Sequence, residues 1–457
     1  MPPDLKPVRT QGRTPLPAFR SSGASESKAG FYLVMAYLLF EFGRPQELIP
    51  GLKLIPIALG INLLLFLNVL MSGKLDFSRL QTKLWIVLFG VMAIHVPIAV
   101  NNFHALMTFK DMVLLFFTYL GITTFVNSTE KMLTVMKFWV GVHGFLAIMG
   151  IAKGGVGIGA WMGDENDFCM VMNMVVPFAY FLLFSATGFS LRVKYLALLG
   201  TYILAAMATV SRGGFIGLAS VGVYCWYRSP KKLNALIVVA VAVVFMALLA
   251  PEKYWDEISS STSDETMNEG TGGERLYTWG IGMEMFFYNP IIGVGQSNFP
   301  WTFDKYQGSR TFHEKSIAGR QAHSAWVTLV SELGLAGIVL IGGIILQSFR
   351  DLRWVARKLA LPVVRTAGRQ PAQAREDIRV YLARAMEGSL IGFIVSGVFI
   401  SILWYPSLWI MVALVVALRN ISEAQGATTT TPAGTHPLQP WGARLPHLGG
   451  GPVSTRS

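Results

Sequence analysis

Three stretches of this chain carry residue types suited to proton transfer and anion binding. They are "AHSAWVTLVSELGLAGIVLIGGIIL" (322–346) with His323, "TVSRGGFIGLAS" (209–220) with Arg212, and "GTGGERLYTWGIGMEMFFYNPIIGVGQSNF" (270–299) with Arg275. A neutral imidazole accepts a proton near physiological pH. A guanidinium is a permanent planar cation that contacts phosphate in bidentate fashion. What matters is whether the chain brings these groups to one place.

The first stretch is long enough to cross a bilayer, and His323 lies at its start. Steps of three and four residues put His323, Val327, Val330, Gly334, Gly337 and Ile341 on one helical face. The two glycines would let a neighbouring helix approach closely. His323 would then point along the packed face, kept neutral by the helix N-terminal dipole; an interfacial histidine satisfied by water is the plainer alternative. Glu332 falls about 13 Å deeper on the opposite side of the helix. It is expected to pair with a neighbouring helix or stay protonated, and not to share a site with His323.

In the second stretch Ser211 reads as an N-cap and Arg212 as the first helical residue. Gly213 and Gly214 would leave backbone N–H groups uncovered, an anion-binding helix end. Equally, Gly213 and Gly217 form a small-xxx-small packing pair while Arg212 snorkels. Spacing leaves both open. The third stretch predicts a short helix at the membrane interface, with Arg275 in its first turn and a break at Asn289–Pro290.

The elements that must position these groups are membrane helices. The 457 residues are 53% hydrophobic and only 14% charged, against roughly 25% charged in soluble chains. Apolar runs fall near 31–43, 48–71, 84–100, 105–126, 133–151, 168–185, 195–210, 213–227, 233–250, 323–346, 388–403 and 407–418. These predict an all-α, polytopic bundle of about twelve transmembrane helices. The net charge of +12 is concentrated in short connections, among them Lys74, Arg79 and Lys83, then Arg192 and Lys194, then Arg228, Lys231 and Lys232. That distribution is a positive-inside bias and not a nucleic-acid footprint. With those connections cytoplasmic, both termini are cytoplasmic, and Ser211–Arg212, the Gly-rich 152–167 and a large loop 251–322 face outward.

The expected organisation is a disordered leader 1–30, nine spans over 31–250, the outer loop 251–322 over the site, three spans over 323–418, and a disordered tail 419–457. The loop has ten acidic and six basic residues and is rich in aromatics, including Trp255, Tyr277, Trp279, Trp301 and Tyr306. Those suit a membrane-interface belt or a sugar-stacking surface. The basic cytoplasmic segment 347–385, with nine Arg/Lys against three acids, suits anionic lipid head groups at about 1 kcal/mol per residue. Two cysteines inside apolar runs make neither a disulfide framework nor a metal site, and the histidines lack metal-ligand spacing.

His323-Ser324, nine residues, then Gly334, two residues and Gly337 resembles the signature of bacterial O-antigen ligases, where the histidine is followed by Asn, Ser or Gln. "SRGGFIG" and "NPIIGVGQSNF" are similar to the region shared by the ligases and polymerases of that superfamily. "GDEND" (163–167) is similar to a polar motif that precedes a span there, and "FGRPQE" is also familiar. The likeness covers roughly 150–345. It implies a metal-independent, cofactor-free, inverting transferase on the periplasmic side of the inner membrane. Its donor would be a glycan on undecaprenyl diphosphate, and its acceptor lipid A–core or a growing glycan. By motif, His323 corresponds to the general base and Arg212 and Arg275 to the diphosphate clamps. Arg320, Arg310, Ser211, Gly213 and Gly214 are possible additions. The absence of paired Arg-rich loop motifs leans toward ligase over repeat-unit polymerase. A secondary transporter is the alternative of another class; it would show inverted repeats and use a deep acid such as Glu332.

Overall fold

The structure, a computed structural model, describes residues 28–229, 271–313, 317, 319–360 and 376–429, with 232, 233, 236, 237 and 240. Most of the expected leader and of the ninth apolar run lie outside the described residues, as do 251–270, 361–375 and the tail beyond 429. All regular structure among the described residues is helical. The helices are α1 (Lys28–Leu38), α2 (Pro45–Leu48), α3 (Ile57–Ser72), α4 (Leu80–Ile98), α5 (Asn102–Phe125), α6 (Thr129–Ala152) and α7 (Glu165–Ser185). They continue with α8 (Phe189–Ala208), α9 (Arg212–Arg228), α10 (Thr271–Tyr288), α11 (Phe299–Gln307), α12 (Ala325–Leu359), α13 (Ile378–Ser396) and α14 (Pro406–Thr429).

Among the described residues seven helices are long and apolar enough to cross a bilayer: α4, α5, α6, α7, α8, α12 and α14. The expectation of about twelve is therefore larger than what the described helices support. α3 is a shorter apolar helix. The first expected run also falls short: α1 passes into a π-helical turn, Leu39–Gly43, which ends at left-handed Arg44 (φ 51°). Burial orders the bundle. The apolar windows of α7 and α14 are 83% and 78% buried, against 33% for α4 and α8, so α7 and α14 are central and α4 and α8 peripheral. α7 packs on α8, α9 and α13, while α14 packs on α5, α12 and α13.

The most consequential departure from a straight bundle is in α12. Gly334 has φ 59° and ψ −150°, which breaks the helix ten residues in. A break at this depth strands backbone groups that lipid cannot satisfy. The segment Pro290–Gly295 supplies the partners. Val294 N–H donates to Ser331 O and Gly295 N–H to Glu332 O, both at 2.9 Å. Leu335 N–H donates to Pro290 O (2.8 Å) and Ala336 N–H to Ile291 O (2.9 Å). Only glycine fits the crossing. A Cβ on Gly334 would lie 2.6 Å from Pro290 O, and one on left-handed Gly293 2.3 Å from Glu332 C. The regularly helical stripe expected below His323 is thus corrected. Gly334 serves a break filled by the "NPIIGVG" segment, and a Cβ on Gly337 would meet Leu333 and Leu329 of its own helix, not a neighbouring one.

Candidate functional site

At the end of the bundle where α7, α9 and α12 begin lies a cavity of about 340 Å³. Each of these helices starts with a side-chain cap that fixes its first turn. Asp164 Oδ1 accepts from Asn166 N–H (2.8 Å) and Asp167 N–H (3.4 Å) at α7. Ser211 Oγ accepts from Gly214 N–H (3.0 Å) at α9, and Ser324 Oγ accepts from Val327 N–H (3.4 Å) at α12. Ser211 Oγ also donates to Asn166 Oδ1 (2.6 Å), tying α9 to α7. The α13–α14 connection closes the group. Gly397 O accepts from Ala325 N–H (2.7 Å), and Phe399 packs so closely on Gly213 that a Cβ there would lie 2.6 Å away.

His323 lines this cavity. It precedes the N-cap and has φ 46°, so it is not a helical residue, a correction to the expected position on the first turn of α12. The chain leading into this left-handed residue is held by α10. Trp279 Nε1 of α10 donates to Ala322 O (2.9 Å), and Arg320 is ion-paired to Glu274 of α10 at 3.0 Å. Such strain on a non-glycine residue is characteristic of functional positions. The residue is exposed where it opens onto the cavity, and the surrounding protein withdraws the ring from water only in part. That burial, and next the Arg275 cation, hold the imidazole below its ordinary range, with Arg320 adding to the effect and Asp164 opposing it. Burial and the neighbouring cations thus disfavour the charged form of the ring.

Arg275 is half-buried in the first turn of α10. Burial and then the charge of Arg212 push its guanidinium down from the usual arginine range, while Asp164 and Glu274 oppose. Arg212 thus acts on Arg275, and Arg275 in turn acts on His323. The supporting candidates divide. Arg320 acts on His323 and is paired with Glu274. Arg310 is held by Glu284 through two bonds of 2.6 and 2.7 Å on the exposed side of α10, apart from this group. The Gly214 N–H, expected to be open to an anion, is taken by the Ser211 cap, and Gly213 and Gly214 are buried against Phe399 and Cys169.

Glu332 was expected to face away from His323, yet the two line the same cavity. Its carboxylate accepts from Ser297 N–H (2.7 Å), Phe299 N–H (3.0 Å) and Trp404 Nε1 (3.1 Å), which fastens the start of α11 to the break in α12. Motif reading also missed the wall formed by Asp167, Ser401, Trp404 and Tyr405. Tyr405 donates to Asp167 Oδ2 (3.0 Å) and packs on Trp161 at 5.5 Å, which in turn carries the Arg44 guanidinium of "FGRPQE" at 5.5 Å. The adjacent aromatics in "LWYPS" and the acids of "GDEND" were the only sequence signals for it. Of the loop aromatics, Tyr277 and Tyr306 pack on a small separate core of Ile281, Met285, Phe299 and Phe303. Trp255 lies outside the described residues. Among the described residues no group of three or more His, Cys, Asp or Glu is arranged to hold a metal ion. Both cysteines are free and buried.

No curated protein matches the chain. A family profile described as O-antigen ligase matches residues 196–342, which takes in α9, α10, α11, the His323 segment and the break in α12. That stretch, residues 196–342 of the 457, is similar to the O-antigen ligase family, and the described residues around it include seven helices long and apolar enough to cross a membrane.

Proposed function

We propose that the chain is a ligase-type glycosyltransferase that moves a glycan from undecaprenyl diphosphate to an acceptor hydroxyl, with lipid A–core as the acceptor, at the periplasmic face of the inner membrane. The observation that supports this most is the electrostatic link that runs from Arg212 through Arg275 to His323, which lines a polar cavity at the capped helix ends. In this reading the acceptor oxygen attacks the anomeric carbon and its proton passes to neutral His323. The bond from that carbon to the diphosphate oxygen breaks, and its electron pair leaves with the diphosphate. Arg212 and Arg275 stabilise that charge, so the leaving group needs no protonation. Attack opposite the departing oxygen inverts the anomeric centre.

The family match supports transfer chemistry; the choice of ligase rests on the missing Arg-rich loop motifs. Glu332, the deep acid a transporter would use, is occupied in fastening the loop. Replacing His323→Ala should leave the bundle folded and lower transfer by about 10²–10⁴-fold, the range for a positioned general base. A variant that transfers at the wild-type rate would refute the base assignment. In a deletion strain, full-length polymer accumulating on its lipid carrier supports the ligase reading, whereas single unpolymerised repeats would make the protein a polymerase.

A further inference from the structure

The charges around His323 are sorted. Arg320 is paired with Glu274 of α10, and neither it nor Arg212 or Arg275 is among the described residues that line the cavity. Among the described residues that line the cavity there is no Lys or Arg. The lining has instead the carboxylates of Asp164 and Asp167, the rings of Trp404 and Tyr405, and the hydroxyl of Ser401. A diphosphate is repelled from such a wall. A sugar residue suits it, because aliphatic ring faces pack on aromatic rings while hydroxyls donate to carboxylates. The wall also has spare bonding capacity. Ser401 Oγ is buried without a hydrogen-bond partner among the described residues, an arrangement that costs stability unless a ligand completes it. Asp164 uses only Oδ1 in capping α7, which leaves Oδ2 without a partner among the described residues. By contrast, Glu332 in the same cavity is fully engaged by backbone and Trp404 donors, so it is part of the frame.

Resting on the transferase reading above, we propose that this wall is the acceptor subsite, and that it takes an uncharged sugar residue, stacked on Tyr405 and Trp404 and hydrogen-bonded to Ser401 and the Asp164 carboxylate, with its attacking hydroxyl turned to His323. The site then keeps its two substrates apart by charge: the anionic donor group on the guanidinium side and the neutral acceptor sugar on the carboxylate side.

The test is steady-state transfer by the purified full-length chain. Its donor probe is a glycan on undecaprenyl diphosphate. Its acceptor probe is whichever of lipid A–core and a second lipid-linked glycan the wild-type protein glycosylates. Tyr405→Ala should raise the acceptor KM about tenfold through lost stacking and hydrogen bonding. Ser401→Ala should raise it about threefold, the size of one hydrogen bond, whereas Tyr405→Phe keeps the stacking ring and should leave it within twofold, with the donor KM within twofold of wild type throughout. Ser401→Ala removes a hydroxyl that no described protein group uses, and an unchanged thermal transition separates a lost acceptor contact from misfolding. An unchanged acceptor KM in Tyr405→Ala and Ser401→Ala, or a donor KM rising in step, overturns the subsite and leaves the transferase reading standing. A wild-type protein that glycosylates neither acceptor overturns both.

Discussion

The imidazole of His323 is tuned by its neighbours, and the tuning has a measurable sign. A general base works in its neutral form, so transfer should rise with pH through the His323 titration and level off above it. Burial and then Arg275 lower that titration from the ordinary value, so the acid limb of kcat/KM should lie below the usual histidine range. Arg275→Gln removes a cation that disfavours imidazolium; the limb should move to higher pH, while the plateau falls about 10²–10³-fold as a charge-stabilising donor is lost. Asp164→Asn removes the opposing anion, so the limb should move to lower pH. Measured kcat/KM profiles of the three proteins check both directions, and displacements of the opposite sign would mean that His323 is not the titrating base.

α12 is built as two helical pieces around Gly334, and the loop segment Pro290–Gly295 is part of its hydrogen-bonding frame. A side chain at Gly334 meets both a positive φ and the Pro290 carbonyl. Gly334→Ala should therefore cost about 2 kcal/mol or more, lower the Tm and release the loop from the site. Gly342→Ala on the same helix is the control, since a Cβ there meets nothing within 4 Å; its Tm should equal or exceed that of wild type. Thermal unfolding in detergent compares the pair, and equal losses at both positions would deny the break its structural role. The histidine motif and "NPIIGVG" look unrelated in sequence because they are about thirty residues apart. The break makes them one unit, since the amides of one bond the carbonyls of the other.

At the scale of the molecule, α12 runs from the cavity at one end to the exposed Arg357 and Lys358 near the other. A 35-residue helix is about 50 Å long at full extension, more than the ~30 Å hydrocarbon core. The two ends should face opposite aqueous phases. Lys305→Cys on exposed α11 should react with an impermeant thiol reagent in intact spheroplasts. Arg357→Cys should react only after permeabilisation, the native Cys169 and Cys225 being buried and silent. Labelling of both from one side would reject the orientation. Composition and hydropathy by themselves determined that the chain is helical and membrane-embedded, because a bilayer demands long apolar runs with internally bonded backbone. Local motifs likewise picked out Arg212, Arg275 and His323, because helix caps and residue spacing are written in a few adjacent positions. Only the tertiary structure decided that His323 precedes its helix, that Glu332 shares its cavity, and that Asp167, Ser401, Trp404 and Tyr405 form the opposite wall. Those outcomes depend on a left-handed glycine, an inserted loop and contacts between residues more than 200 positions apart, such as Asp167 and Tyr405. One-dimensional periodicity does not encode them, because it assumes an unbroken helix and sees no partner beyond its own turn.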